Sequence, residues 1–317
     1  MERMAVTGGA GFIGSNLAER LASQGYPVVV VDNFSTGREQ NLAGWTRKLS
    51  DRVEVARTDV NETDTLRRLF KGARFVFHQA AIPSVPRSVA DPARTHASNV
   101  TGTLSVLIAA RDAGISRVVV ASSSSVYGDD QTLPKREDHV GHPLSPYALS
   151  KVTCEQYCRL FHKLYGLETV CLRYFNVFGP RQDPGSEYAA VIPRFSTRLL
   201  AGMRPTIYGD GEQTRDFTYI DNVVEANWRA ANHPRAAGGV FNIGCGTQTS
   251  LNQLVARLNA ILDTRLDPVY EAARAGDVRH SVADVSKARD ILEYTPAVSL
   301  DEGLERVLAW FRETKET

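Results

Sequence analysis

The first half of the chain alternates short β-branched runs with longer stretches whose apolar residues recur at helical spacing. The runs Met4–Thr7, Val28–Asp32, Val53–Thr58, Phe75–Gln79, Val118–Ser122 and Thr169–Tyr174 predict strands. They carry few polar residues, as strands covered on both faces must. Between them, Ile13–Ala22, Thr63–Phe70, Arg94–Arg111 and Tyr147–Leu164 show the helical period and predict helices. Such alternation predicts right-handed crossovers and an α/β fold: a doubly wound parallel sheet of the Rossmann type, with ligands at the carboxyl ends of its strands.

After Asn176 the rhythm breaks. Gly179-Pro180 and Asp183-Pro184-Gly185 mark a loop, Val191–Leu200 predicts a helix, and Val240–Ile243 reads as a short buried strand returning to the main sheet. Ser250 with Gln253 and Ser299 with Glu302 have the spacing of capping boxes, so a helix is expected after each. The expected division is a dinucleotide-binding domain over residues 1–175 with 216–246, and a smaller C-terminal substrate lobe over 176–215 with 247–317.

Composition narrows the class. The 317 residues are 43% hydrophobic and 23% charged with a net charge of +1, and the basic residues are interspersed among acids. That leaves no electrostatic footprint for nucleic acid or an anionic membrane, so an anionic ligand needs a local constellation. No apolar run, Pro27–Val31 included, approaches a membrane span, and the N-terminus enters a strand at once, so no signal peptide is expected. Cys154, Cys158, Cys171 and Cys245 lack CxxC spacing and read as buried free thiols, which points to the cytosol. His78, His139, His142 and His280 show no ligand spacing, and no metal is expected.

Gly8, Gly11 and Gly14 follow the first strand and open the first helix. They suit a tight turn, close approach of a pyrophosphate and helix-on-strand packing, with the helix N-terminus supplying N–H donors. Asp32 ends the second strand, where a carboxylate binds both ribose hydroxyls and repels a 2′-phosphate, favouring NAD over NADP. Asp59-Val60, after the third strand, is placed for the adenine or serves as a cap ahead of Thr63.

Tyr147 and Lys151 stand four residues apart in Ser145–Lys151, on one face of a helix start. The ammonium and the helix N-terminus would favour the phenolate of a proton-accepting tyrosine. Taken alone, such a pair is ordinary amphipathic surface. A third element joins it: the fifth strand ends in Ser122–Ser125, whose hydroxyls reach the carboxyl edge of the sheet.

With these motifs the chain resembles the extended short-chain dehydrogenases/reductases, and among them the UDP-sugar 4-epimerases. The resemblance runs from residue 5 to about 284 through TGGAGFIG, SSSSVYG, SPYALSK, RYFNVFGPRQDP, DGEQTRDFTYI and GDVRHSVAD. Arg173–Pro184 and Tyr188–Pro193 look most like bacterial UDP-N-acetylglucosamine 4-epimerases. The resemblance implies Tyr147 as base, Lys151 on the nicotinamide ribose and Ser123 hydrogen-bonding the sugar O4. It implies an NAD site of Gly8, Gly11, Phe12, Ile13, Gly14, Asp32, Asn33, Asp59, Val60, Gln79, Ala80, Ala81, Asn99 and Tyr174 beside Tyr147 and Lys151. For a UDP-sugar it implies Ser84, Ser123, Ser124, Ser125, Asn176, Ala190, Val191, Ile207, Tyr208, Arg215, Arg274, Asp277 and Ser281. Arg215 and Arg274, taken alone, read as surface charges. The family also implies a homodimer through the helices around Arg94–Arg111 and Tyr147–Leu164.

Pro83 stands where epimerases restricted to UDP-glucose and UDP-galactose often carry lysine, which argues against that branch. Ser124 and Ser125 replace the Asp-Glu pair of the sugar 4,6-dehydratases, and hydroxyls are poor substitutes for an acid/base pair. Ser281, where narrower epimerases tend to have tyrosine, leaves room for an N-acetyl group, as does Ala190. The rival readings are a UDP-glucuronate decarboxylase and, outside enzymes, an NAD-binding redox-sensing regulator. Arg87 faces either substrate or a partner subunit.

Overall fold

The computed structural model describes residues 2–185, 190–273 and 278–315. Its strands β1 (Arg3–Thr7), β2 (Val28–Asp32), β3 (Val53–Arg57), β4 (Ala73–His78), β5 (Arg117–Ser123) and β6 (Glu168–Tyr174) join the strand Val240–Ile243 in one seven-stranded sheet. The order is β3–β2–β1–β4–β5–β6 and then Val240–Ile243, with every pairing parallel. The helices of the first half are α1 (Phe12–Ser23), α2 (Gln40–Lys48), α3 (Thr63–Phe70), α4 (Val85–Ala90), α5 (Pro92–His96), α6 (Gly102–Asp112) and α7 (Pro146–Tyr165).

Both faces of the sheet are covered, and the strands divide their residues between two cores. Met4, Val6, Val28, Val30, Phe75, Phe77 and Val119 pack towards α1 and the helix Ile220–Asn232. Ala5, Val29, Val31, Val76, Val118 and Val120 pack towards α3, α6 and α7. Period-2 side-chain alternation explains the division, and burial on both faces explains why the strands read as unbroken apolar runs. Each fully buried Val, Leu or Phe is worth about 1.5–3 kcal/mol, so the sheet that carries the site is held by its packing on both faces.

Several elements depart from the sequence reading. β3 is an edge strand and is not covered on both faces: Glu54 and Val55 are exposed. The helix expected over Arg94–Arg111 is broken into α5, a π-helical turn at Ala97–Thr101, and α6. The helices α2, α4 and Ile220–Asn232 were not anticipated. The last has an alanine-rich buried face and packs against α1, β5 and β6. The box at Ser250 forms in both directions and starts the helix Leu251–Leu262; at Ser299 the hydroxyl accepts the Glu302 N–H at 3.3 Å as Leu300–Lys315 begins.

Cys154, Cys158 and Cys171 are buried free thiols, while Cys245 is half-buried. Among the described residues no helix is long and apolar enough to cross a membrane, and no His, Cys, Asp and Glu side chains gather as a metal site.

Candidate active site

A cleft of about 790 Å³ opens along the carboxyl ends of β1, β2, β4, β5 and β6. Its floor requires glycine. Gly8 has φ +66°, and a Cβ there would lie 2.5 Å from Ala80 N. A Cβ on Gly14 would lie 2.8 Å from Gly8 C and well inside the contact radius of its carbonyl oxygen. Gly11 is the N-cap of α1 without any side-chain cap, and Gly11, Phe12, Ile13 and Gly14 line the cleft. A helix N-terminus presented this way suits a pyrophosphate.

Asp32 stands at the end of β2, 7% exposed, with both oxygens fixed: Oδ2 accepts the Ala10 N–H at 2.9 Å and Oδ1 the Phe34 N–H at 2.8 Å. Burial pushes its pKa up, although these backbone bonds oppose the shift. Asn33, Val60, Gln79, Ala80 and Ala81 line the same cleft. So does Tyr174, whose hydroxyl lies 3.2 Å from Gln79 Oε1 and 3.1 Å from Asn227 Oδ1. Two expected cofactor residues do not line the cleft. Asp59 stands behind it, accepting from Asn33 Nδ2 at 2.6 Å. Asn99 is buried, accepts the Ile82 N–H at 2.8 Å and donates to Ser150 Oγ at 3.0 Å. Both hold residues of the cleft wall.

At the other end of the cleft stand Ser84, Ser123, Ser124, Tyr147 and Lys151. Ser145 caps α7 by accepting the Ala148 N–H at 3.1 Å, and Pro146 fills the first helical position, so Tyr147 falls in the first turn. Lys151 is buried, donates to Ala121 O at 2.8 Å and lies 5.9 Å from the Tyr147 ring centre. Its ammonium has two further protons to direct at a ligand. Ser123 Oγ accepts the Ser125 N–H at 3.1 Å. The Ser125 hydroxyl, expected at the substrate, is buried, has no hydrogen-bond partner among the described residues, and lines neither cleft.

A smaller cleft of about 220 Å³ meets the first at Asn176, Val177 and Ala190. Val191, Tyr208 and Arg215 line it, with Arg194 over the Tyr208 ring at 5.7 Å. Ile207 does not: it is fully buried in the core because it alternates with Thr206 and Tyr208 along a strand. Ser281 is half-buried, donates its N–H to Thr214 O at 3.2 Å and lines neither cleft. Arg274, Asp277 and Tyr188 lie outside the described residues.

Comparison with known proteins agrees with this arrangement. Residues 4–244 match the profile of the NAD dependent epimerase/dehydratase family. A UDP-glucose 4-epimerase of Mycolicibacterium smegmatis is 41% identical over 98% of both chains. The chain belongs to the NAD dependent epimerase/dehydratase family. The fold superposes on a UDP-N-acetylglucosamine 4-epimerase from Methanobrevibacter ruminantium, solved with UDP-N-acetylmuramic acid, with TM-score 0.93 and 39% identity over 99% of each chain. It superposes equally on the Thermotoga maritima UDP-glucose 4-epimerase solved with UDP-glucose, with TM-score 0.92 and 39% identity over 99% of each chain. Within the family these relatives place the enzyme among the UDP-sugar 4-epimerases, and its cofactor is NAD.

Some of the epimerase's cleft was not anticipated. Ser35, Thr36, Gly37 and Arg38 line it from the loop after β2, and Arg181, Gln182 and Asp183 from the loop beyond β6. Arg38 pairs with Asp183, and Arg181 with Glu19 on α1. Loops at strand carboxyl ends are where ligand contacts concentrate, so the Ser-Thr-Gly-Arg run was a readable signal. Arg87 lines this cleft beside Ser84 and Pro83.

His78, at the end of β4, is fully buried between Thr7 Oγ1 at 2.7 Å and Thr103 Oγ1 at 2.9 Å. Burial, with the Lys151 charge adding to it, pushes its pKa down to about 3 from the ordinary 6.5. The unfolded chain therefore binds this proton between pH 6.5 and 3 while the folded one does not. Stability from His78 is complete above pH 6.5 and falls with pH by about 1.4 kcal/mol per unit. In urea titrations between pH 7 and 4, His78→Gln should flatten that slope by close to one proton. An unchanged slope would contradict a neutral, buried imidazole.

Proposed function

We propose that the enzyme inverts C4 of a UDP-hexose, with UDP-N-acetylglucosamine and UDP-N-acetylgalactosamine as its main pair and UDP-glucose and UDP-galactose as a second. The observation that carries the reading is that Tyr147, Lys151 and Ser123 line the same cleft as Gly8, Gly14 and Asp32. A reversible oxidant and a proton acceptor are thereby brought to one place.

NAD fits against the glycine floor, with Asp32 towards its ribose and Lys151 towards the nicotinamide end; when bound it supplies a two-electron acceptor for C4 that is regenerated each cycle. Tyr147 Oη takes the O4 proton as C4 is oxidised and returns it after the 4-keto sugar has turned over. Ser123 holds O4 through that exchange, and Lys151 keeps positive charge beside the phenolic oxygen. The uridine and diphosphate take the smaller cleft, anchored by Asn176, Tyr208 and Arg215, whose planar donors suit phosphate oxygens. Ala190, where the two clefts meet, supports room for an N-acetyl group.

The test is turnover of all four nucleotide sugars by wild type and Ala190→Tyr, a substitution where the two clefts meet. Wild type should interconvert both pairs. The tyrosine should slow the acetylated reaction selectively by roughly 5- to 150-fold, since overfilling the site costs about 1–3 kcal/mol. Wild-type turnover of UDP-glucose and UDP-galactose alone would refute the acetylated assignment. Release of carbon dioxide from UDP-glucuronate would favour the decarboxylase reading.

A homodimer in the cytosol completes the proposal. Leu149, Leu160 and Leu164 are exposed on α7 and would be covered by the same helices of a second subunit. Light scattering at micromolar concentration should give twice the mass of one chain, and a monomer would count against it.

A further inference from the structure

Behind the catalytic residues lies a buried charge network that the proposed chemistry does not use. Glu155 on α7 and Arg173 on β6 form a two-pronged ion pair: Nε to Oε1 at 2.9 Å and Nη2 to Oε2 at 2.8 Å. Their side chains are only 8% and 4% exposed. Ser122 Oγ donates to Glu155 Oε1 at 2.5 Å. Arg173 Nη1 donates to Tyr127 OH at 3.0 Å, and that hydroxyl donates to Asn242 Oδ1 at 2.5 Å. Burial pushes the Tyr127 phenol up to about 12, so it remains a neutral donor.

A buried ion pair of this kind adds little net stability over an apolar pair of equal volume, because desolvating both charges offsets their attraction. What it can supply is unique geometry. Ser122 and Arg173 are direct cross-strand partners in the β5–β6 register, and both turn to the one carboxylate on α7. One helical turn earlier, Lys151 donates to Ala121 O, the residue next to Ser122. The helix therefore grips the last residues of β5 at two successive turns, through Lys151 on Ala121 and through Glu155 on Ser122. The residue that follows on β5 is Ser123, and the first turn of the helix carries Tyr147.

We propose that Glu155 and Arg173 are positioning residues for catalysis: they set the rotation and tilt of α7 on β5 and so the gap between Tyr147 and Ser123. The inference rests on the proposed roles of those two residues. Glu155 lies eight residues from Tyr147, about 12 Å along the helix axis. A tilt of about 5° at that lever arm displaces Tyr147 by ~1 Å, and a misplacement of that size costs on the order of 100-fold in rate. Nucleotide affinity resides in the other cleft and on the glycine floor, so it should be spared.

The experiment replaces the pair with apolar residues of similar volume, Glu155→Met with Arg173→Met, and measures melting temperature, NAD content, KM and kcat beside wild type and Tyr147→Phe. The expected double variant folds, retains NAD and a KM within about twofold, and loses ten- to a hundredfold in kcat. A folded double variant with wild-type kcat would overturn the proposal, as would a loss confined to KM. If the double variant does not fold, Ser122→Ala removes one prong and keeps the ion pair. Its kcat should fall severalfold at unchanged KM and melting temperature, and an unchanged kcat would overturn the proposal in that case too. Tyr147→Phe separates the two claims: if it retains activity, the base assignment fails, whatever the Glu155 variants do.

Discussion

Tyr147→Phe should leave a folded, NAD-loaded protein whose kcat is lower by roughly 10³-fold, within the range of a lost general base. The substitution removes one oxygen from a side chain in the first turn of α7, where the Ser145 cap and Pro146 fix the backbone independently of the phenol. Lys151 remains anchored on Ala121 O, so the positive charge at the site stays in place. Affinity for UDP should be unchanged, because the smaller cleft does not include Tyr147. The assay is initial-rate epimerisation alongside calorimetric binding of UDP. Near-wild-type turnover would mean that another group accepts the O4 proton.

The second large effect is on the cofactor. Gly14→Ala should yield protein that no longer copurifies with NAD, because its Cβ would collide with the Gly8 carbonyl and the loop must shift away from the pyrophosphate position. Overpacking of this kind costs about 1–3 kcal/mol, so cofactor occupancy at limiting NAD should fall roughly 5- to 150-fold. Gly44→Ala in α2 is the control: a Cβ there meets nothing within 4 Å, and the helix should gain about 0.5–1 kcal/mol. Absorbance of the denatured supernatant reads NAD content directly. Full occupancy in Gly14→Ala would show that the loop does not carry the pyrophosphate.

The parallel sheet was legible because both its faces are buried, which makes each strand a nearly unbroken apolar run. The same rule failed at β3, where the sheet ends and Glu54 and Val55 meet solvent. The helix Ile220–Asn232 escaped because its buried face is built largely of alanine and asparagine, whose apolar signal is weak. At the site, Gly8, Asp32, Tyr147 and Lys151 stand out in the sequence because their spacing relative to strand ends suits the proposed chemistry, and all four line the larger cleft. Asn99 and Asp59, expected at the cofactor, bond to the cleft-lining residues Ile82 and Asn33, a partnership that spacing along the chain does not reveal. Ile207 was misplaced by one position of strand alternation, which sends it to the core and its neighbour Tyr208 to the cleft. The Glu155–Arg173 pair could not be foreseen from spacing, because its partners lie on different elements and meet only through the β5–β6 register.

In the proposed reaction one cleft oxidises and reduces the same carbon with a cofactor that never leaves. The direct measurement uses UDP-N-acetylglucosamine deuterated at C4, purified enzyme without added NAD, and NMR of both sugars at equilibrium. C4 should invert with the deuterium retained at C4 of the product in ordinary water. Loss of the label to solvent, or a strict requirement for added NAD in stoichiometric amounts, would contradict it.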